Sequence, residues 1–91
     1  MIVRILDYGD EAESKFIEYG VFGLTPGQME FLGENLEEQT SIEDDAFKLK
    51  MYFSEDLYPF QSDVAKYRLE DFIAREEIEM TVFISSFLED M

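Results

Sequence analysis

The chain has 91 residues, a formal net charge of −15, and neither cysteine nor histidine. This composition excludes disulfides, thiolate metal sites and imidazole catalysis, and the length suits a single domain. High charge alone favours disorder, but 46% of the residues are hydrophobic, including nine Phe and five Tyr, so we expect a folded chain.

No apolar run approaches the roughly 20 residues that cross a bilayer, and the first residues become acidic too early for a secretory signal peptide. An anionic surface is also repelled by anionic lipid headgroups. We therefore expect a cytoplasmic protein without a membrane partner.

The first half of the chain predicts one strand and two helices. Residues 1–7 are mostly β-branched and aliphatic, which is typical of a strand. Asp10 is a candidate cap for a helix over 10–19 that ends at Gly20. A second helix over 25–38 has the clearest start, because Thr25 suits the cap, Pro26 the first turn and Gln28 a capping box.

The second half predicts two strands around a third helix. Apolar and polar residues alternate over 46–54, the pattern of a half-buried strand, and Lys48 and Lys50 on its polar side are expected to pair with acids such as Glu79. A helix over 62–76 and a strand over 78–88 follow. The order predicts a small single-domain α+β sandwich over 1–91, with about three strands and three helices.

The distribution of charge is uneven along the chain. Between Phe16 and Phe47 there are eight carboxylates and no Lys or Arg. On a helical wheel the acids of 25–38 occupy the arc opposite the apolar stripe. The predicted helix over 62–76 can instead pair Lys66 with Glu70, and Asp71 with both Arg68 and Arg75. The unpaired acids are either a binding face or a solvated face that maintains solubility.

Phe31 falls among the acids of the second predicted helix, and Tyr67 is placed similarly on the third. Each is either covered by a loop or exposed as an aromatic interface anchor. The candidate partner-binding residues are the acids of this region together with Phe31. They are Glu30, Phe31, Glu34, Glu37, Glu38, Glu43, Asp44 and Asp45.

Other classes of function find little support in the residues. Among 22 acids, pairs at any separation arise by chance, so we predict no catalytic residues and no enzyme activity. No segment has the spacing of an EF-hand loop, so we predict no metal site and no cofactor. The absence of a basic patch argues against direct binding to nucleic acid.

In small size, acidic bias and lack of catalytic residues, the chain resembles the DNA-mimic anti-defence proteins of phages and mobile elements. The resemblance is one of class and extends over the composition of the whole chain. It implies an inhibitor in the bacterial host cytoplasm that blocks a basic nucleic-acid-binding surface, such as that of a CRISPR complex or a restriction enzyme. Fifteen net charges correspond to roughly 25 Å of duplex DNA, or about seven to eight base pairs.

Two further hypotheses remain open. A small immunity-like, antitoxin-like or adaptor protein can bind a basic partner through an acidic face without mimicking nucleic acid. A homodimer through Phe83 and Phe87 on the predicted last strand would double the acidic face.

Overall fold

The computed structural model describes residues 1–12, 14–54 and 69–91. Its elements in chain order are β1 (Ile2–Glu11), β2 (Ser14–Phe22), α1 (Pro26–Asn35), β3 (Gln39–Glu43), β4 (Ala46–Phe53) and α2 (Leu69–Glu89). The four strands form one antiparallel sheet in the order β1-β2-β4-β3. The α+β class is confirmed, but the described residues form two helices where three were predicted over the whole chain.

The predicted helix over 10–19 is wrong, because these residues belong to the β1–β2 hairpin. β1 continues to Glu11, Ala12 has a φ of 56°, and β2 pairs with β1 on one side and β4 on the other. Ile17, Tyr19 and Val21 alternate along β2 and are all buried. A period of two with strand partners on both sides outweighs a single capping residue.

The second hairpin contains one predicted strand and one strand that the sequence did not reveal. The strand over 46–54 is confirmed as β4, whereas β3 lies between the predicted helix over 25–38 and this strand, where no element was predicted. Asp44 and Asp45 form the two-residue turn with φ values of 50° and 63°. Positive φ at both positions is the geometry of the tight turns that suit the twist of paired strands.

The start of α1 is confirmed at its capping box. The Gln28 N–H donates to Thr25 Oγ1 at 3.2 Å, and the Thr25 N–H donates to Gln28 Oε1 at 2.8 Å. The helix ends at Asn35, three residues before the predicted end, because Leu36 is extended with φ −85° and ψ 137°. Residues 37 and 38 are therefore outside the helix.

The long helix α2 replaces the predicted strand over 78–88, which is wrong. The alternating apolar residues of this segment also contain a helical pair, and the structure buries Met80 and Ile84 while Ile78 and Val82 stay exposed. Residues 69–76 of the predicted third helix are helical, and its residues 62–68 lie outside the described residues. Phe83 and Phe87 pack edge to face on this helix, with ring centroids 5.1 Å apart.

Both described helices pack against the same face of the sheet. Ile17, Tyr19 and Leu49 from the strands share one buried cluster with Leu32 of α1 and Ile84 of α2. The helices therefore form one layer and the sheet the other, which leaves the exposed arcs of the helices facing away from the sheet.

On the opposite face of the sheet, two side chains pack over Gly20. A Cβ atom at Gly20 would lie 2.9 Å from Leu6 Cδ1 and 3.0 Å from the Phe22 ring, so both side chains cover this glycine. A bulge between Ile5 and Asp7 shifts the register of β1 beside this point. A side chain at position 20 would displace the exposed ends of Leu6 and Phe22.

Candidate binding surface

The charges of the sheet largely compensate one another. Four of the five cations in the described residues lie on strands that carry five acids, which leaves the strands with a net charge of −1. Lys48 Nζ lies 2.7 Å from Glu43, and Lys15 pairs with Asp10. Lys50 Nζ lies 2.5 Å from Glu11. The predicted pairing of the β4 lysines with acids is confirmed, but Glu79 is not a partner in these contacts.

Lys50 is the centre of a polar cluster on the uncovered face of the sheet. Its ammonium lies 4.6 Å from the centroid of the Phe16 ring, and the Tyr52 hydroxyl donates to Glu11 at 3.3 Å. The hydrogen bond from Lys50 lowers the pKa of Glu11, and the same bond raises the pKa of Lys50. Because this acid is already bound by a cation, it is a poor candidate for contact with a partner.

The helical layer has the opposite character. We define the helical surface as α1 and α2 with the residues that directly follow them, 36–38 and 90. It carries eleven acids and one cation, Arg75, which gives a net charge of −10. Its acids are Glu30, Glu34, Glu37, Glu38, Glu70, Asp71, Glu76, Glu77, Glu79, Glu89 and Asp90.

Half of the predicted site residues lie on the helical surface. Glu30 and Glu34 are exposed one turn apart on α1, and Glu37 and Glu38 follow after the helix has ended. The four carboxylates therefore occupy consecutive parts of one segment, although they do not form the single helical arc that the sequence predicted.

The other predicted acids lie at the far end of β3. Asp44 and Asp45 occupy the hairpin turn, and Glu43 is bound to Lys48. Five residues of strand span about 17 Å, so β3 separates this group from the acids that follow α1. The predicted site is thus two groups of residues rather than one.

Phe31 is half-buried and packs against the hydrophobic core. This contact with the core makes it a poorer candidate for an interface anchor than the sequence suggested. Tyr67 lies outside the described residues. So do Lys66 and Arg68, the cations that were predicted to pair with acids of the helix over 62–76.

Sequence reasoning missed the contribution of α2 to the acidic surface. Six acids and only Arg75 lie within this helix. The signal was present, because continuing the helical period past residue 76 would have placed Glu77 and Glu79 on the same element as Glu70. Because a strand was predicted over 78–88, the acids after residue 76 were not assigned to a helix.

The surroundings of Glu76 on α2 change the pKa of its carboxyl group. Partial burial, with repulsion from Glu79, raises the pKa of Glu76. The residue lines a groove of about 180 Å³ with Tyr19 and Phe83. Since burial and like charge both disfavour its ionised form, this carboxylate adds strain to the folded state at neutral pH.

Two negative findings apply to the described ranges. Within residues 1–12, 14–54 and 69–91, no three acids converge in an arrangement that could hold a metal ion. Neither described helix is long and apolar enough to cross a membrane.

Fold and charge together define a small acidic α+β protein with a self-compensated sheet and an anionic helical layer. The chain belongs to a family of unknown function, DUF5750, whose sequence profile matches residues 2–90. No curated protein matches the chain.

Proposed function

We propose that this protein is an acidic inhibitor that mimics nucleic acid, with its helical surface occupying the basic nucleic-acid-binding surface of a target such as a CRISPR complex or a restriction enzyme. The observation that supports this proposal is the separation of charge. Counted with the turn acids Asp44 and Asp45, the described strands have a net charge of −3, whereas the helical surface, counted with the residues that follow its helices, has −10. Charge used only for solubility has no need of such a separation.

The magnitudes are compatible with mimicry. Ten net charges correspond to about 17 Å of duplex DNA, at one charge per 1.7 Å. The 21 residues of α2 extend over about 31 Å, so the charge density of this layer is of the same order as that of a duplex. Carboxylates on this layer would bind the Arg and Lys side chains that normally hold phosphates.

The mechanism is competitive exclusion, with no catalytic step. Association led by charge is fast and weakens as salt rises. The target therefore loses access to nucleic acid for as long as the acidic protein is bound, and the inhibition is relieved by excess duplex.

The test uses two variants with the same change in net charge. Glu30→Gln with Glu34→Gln removes two charges from the helical surface, and Asp7→Asn with Glu18→Gln removes two from the sheet. Each protein is immobilised, exposed to a bacterial lysate and washed, and the bound proteins are identified before and after addition of duplex DNA. We expect nucleic-acid-binding proteins that the duplex displaces, with less captured by the helical variant than by the sheet variant.

Equal loss in both variants would contradict the assignment to the helical surface. Capture of proteins that neither DNA nor RNA displaces would instead favour the second candidate, an immunity-like, antitoxin-like or adaptor protein. One observation supports that candidate. Ile78 and Val82 are exposed on α2, and apolar side chains are typical of the centre of an interface between two proteins.

A further inference from the structure

The helix α2 presents two apolar side chains to solvent on one face. Ile78 is 64% exposed and Val82 is 62% exposed, and the two residues are one turn apart. Single exposed apolar residues are common on protein surfaces. A pair of β-branched side chains at this spacing on an otherwise acidic helix is a more specific feature, because it forms a short apolar strip.

The strip continues into a groove beside the first strand. Ile78 lines an open groove of about 300 Å³ between α2 and the start of β1, together with Met1, Ile2 and Thr81. The side chain of Ile2 is itself exposed. The strip therefore adjoins a mainly apolar groove, lined also by Arg4 and Glu77, that extends from the helix to the edge of the sheet.

The backbone at this edge is already bound by charged side chains. The Arg4 guanidinium donates to the carbonyl oxygen of Val3 at 3.0 Å, and the Ile5 N–H donates to Glu77 at 2.9 Å. A strand that paired with β1 here would have to displace both contacts. The groove is thus suited to side chains rather than to an added strand.

The charge around the strip indicates what kind of partner fits. The helical surface has a net charge of −10, so a second copy of this chain would bring like charges together. The one cation of the helical surface, Arg75, lies over the Phe72 ring, with Cζ 5.1 Å from the ring centroid. A partner with cationic groups around an apolar stripe complements both features of α2.

We propose that Ile78 and Val82, with the groove beside β1, form the apolar centre of the partner interface and receive apolar side chains from a cationic amphipathic helix. This inference rests on the proposed function in that the partner is basic. It goes further by locating the contact that salt does not weaken, and by moving the anchor from Phe31 on α1 to the exposed pair on α2.

The experiment uses two synthetic 18-residue peptides of equal charge, one an amphipathic helix of Leu and Lys and the other a peptide of Ser and Lys. Binding to the full chain is measured by calorimetry in physiological salt, and methyl shifts are followed by NMR. We expect the Leu/Lys helix to bind about tenfold more tightly and to shift the methyl signals of Ile78 and Val82.

Matched variants locate the effect. Ile78→Ser with Val82→Ser should reduce binding of the Leu/Lys helix to that of the Ser/Lys peptide and leave the Ser/Lys peptide unaffected. Ile42→Ser removes an apolar residue that is 55% exposed on β3, and it should change neither affinity. Circular dichroism of each variant confirms that the fold is retained.

Four results would overturn the inference. In the first, the two peptides bind equally, so charge alone acts and the proposed function survives without the apolar centre. In the second, the Leu/Lys helix keeps its advantage in the Ile78/Val82 variant. In the third, sedimentation shows a dimer that this variant abolishes, which would make a second copy the occupant. In the fourth, neither peptide binds; the inference then fails, and the capture experiment with duplex DNA decides the proposed function separately.

Discussion

The Glu77 carboxylate accepts a hydrogen bond from the backbone N–H of Ile5, with 2.9 Å between Oε2 and the nitrogen. The bond joins residues 72 positions apart and connects the last helix to the first strand. Because β1 is an edge strand, this N–H points away from β2 and has no strand partner. One acid of the helical surface thus has a structural role.

We expect Glu77→Ala to lower the free energy of unfolding by about 1–3 kcal/mol, because it removes a charged acceptor from a partly buried N–H. Glu77→Gln keeps an acceptor oxygen and should lose less. Urea denaturation measures the difference, and hydrogen exchange at the Ile5 amide should accelerate most in the alanine variant. Equal losses in the two variants would show that the hydrogen bond is not the cause.

Gly20→Ala should destabilise the protein by up to about 1 kcal/mol, since the new Cβ would lie 2.9 Å from Leu6 Cδ1 and 3.0 Å from the Phe22 ring, and the exposed ends of both side chains must shift. The matched control is Gly33→Ala on the exposed face of α1, where the nearest atom is 4.0 Å away. That change should stabilise by up to about 1 kcal/mol through helix propensity. Thermal unfolding of both variants checks the opposite signs.

Glu76→Gln should make the protein more stable at neutral pH, by less than about 1 kcal/mol because the side chain is largely exposed. The pKa of Glu76 is higher in the folded state than in the unfolded state, so its contribution is most favourable when protonated and worsens as pH rises through the folded value. The gain should therefore vanish below about pH 4. Unfolding experiments at several pH values measure this trend.

Glu79 provides an internal control for that experiment. Its repulsion contributes to the raised pKa of Glu76, but burial contributes more. In a Glu79→Gln background the gain from Glu76→Gln should shrink without disappearing. A gain that persists unchanged at acid pH would mean that side-chain shape, and not ionisation, explains the effect.

Glu34→Gln should stabilise α1 by about 0.2–0.5 kcal/mol in low salt, because Glu30 and Glu34 are like charges one turn apart. The gain should fall in 1 M NaCl, where screening acts within about 3 Å. Glu18→Gln on the sheet is the comparison: Glu18 faces Lys50 across the strands, so its removal should give no gain. Thermal unfolding at both salt concentrations tests the pair.

Elements with a local signal were predictable from the sequence. Thr25 and Gln28 bind each other across three residues, so the start of α1 is encoded within one turn of chain. The alternation over β4 is similarly complete within eight residues. The total charge and the absence of Cys and His needed no structure.

The segment over 78–88 shows why other elements could not be predicted. Ile78, Met80, Val82 and Ile84 fit a strand, whereas Met80 and Ile84 alone fit one face of a helix. Only packing against the sheet shows that the helical pair is buried and the other pair exposed. A similar ambiguity led to the helix predicted over 10–19, because the β4 partner of β2 lies about 30 residues further along the chain.

The sequence by itself determined that the protein is acidic, that α1 begins at its capping box and that β4 is a strand, because these depend on composition or on neighbours within a few residues. The tertiary structure decided where the charge lies. Lys50 pairs with Glu11 over 39 residues of chain, and Lys15 and Lys48 pair with Asp10 and Glu43 only because β1–β2 and β3–β4 fold as hairpins. The carboxylates of the helical layer have few cations nearby, so the binding surface proposed for this protein is a property of the fold.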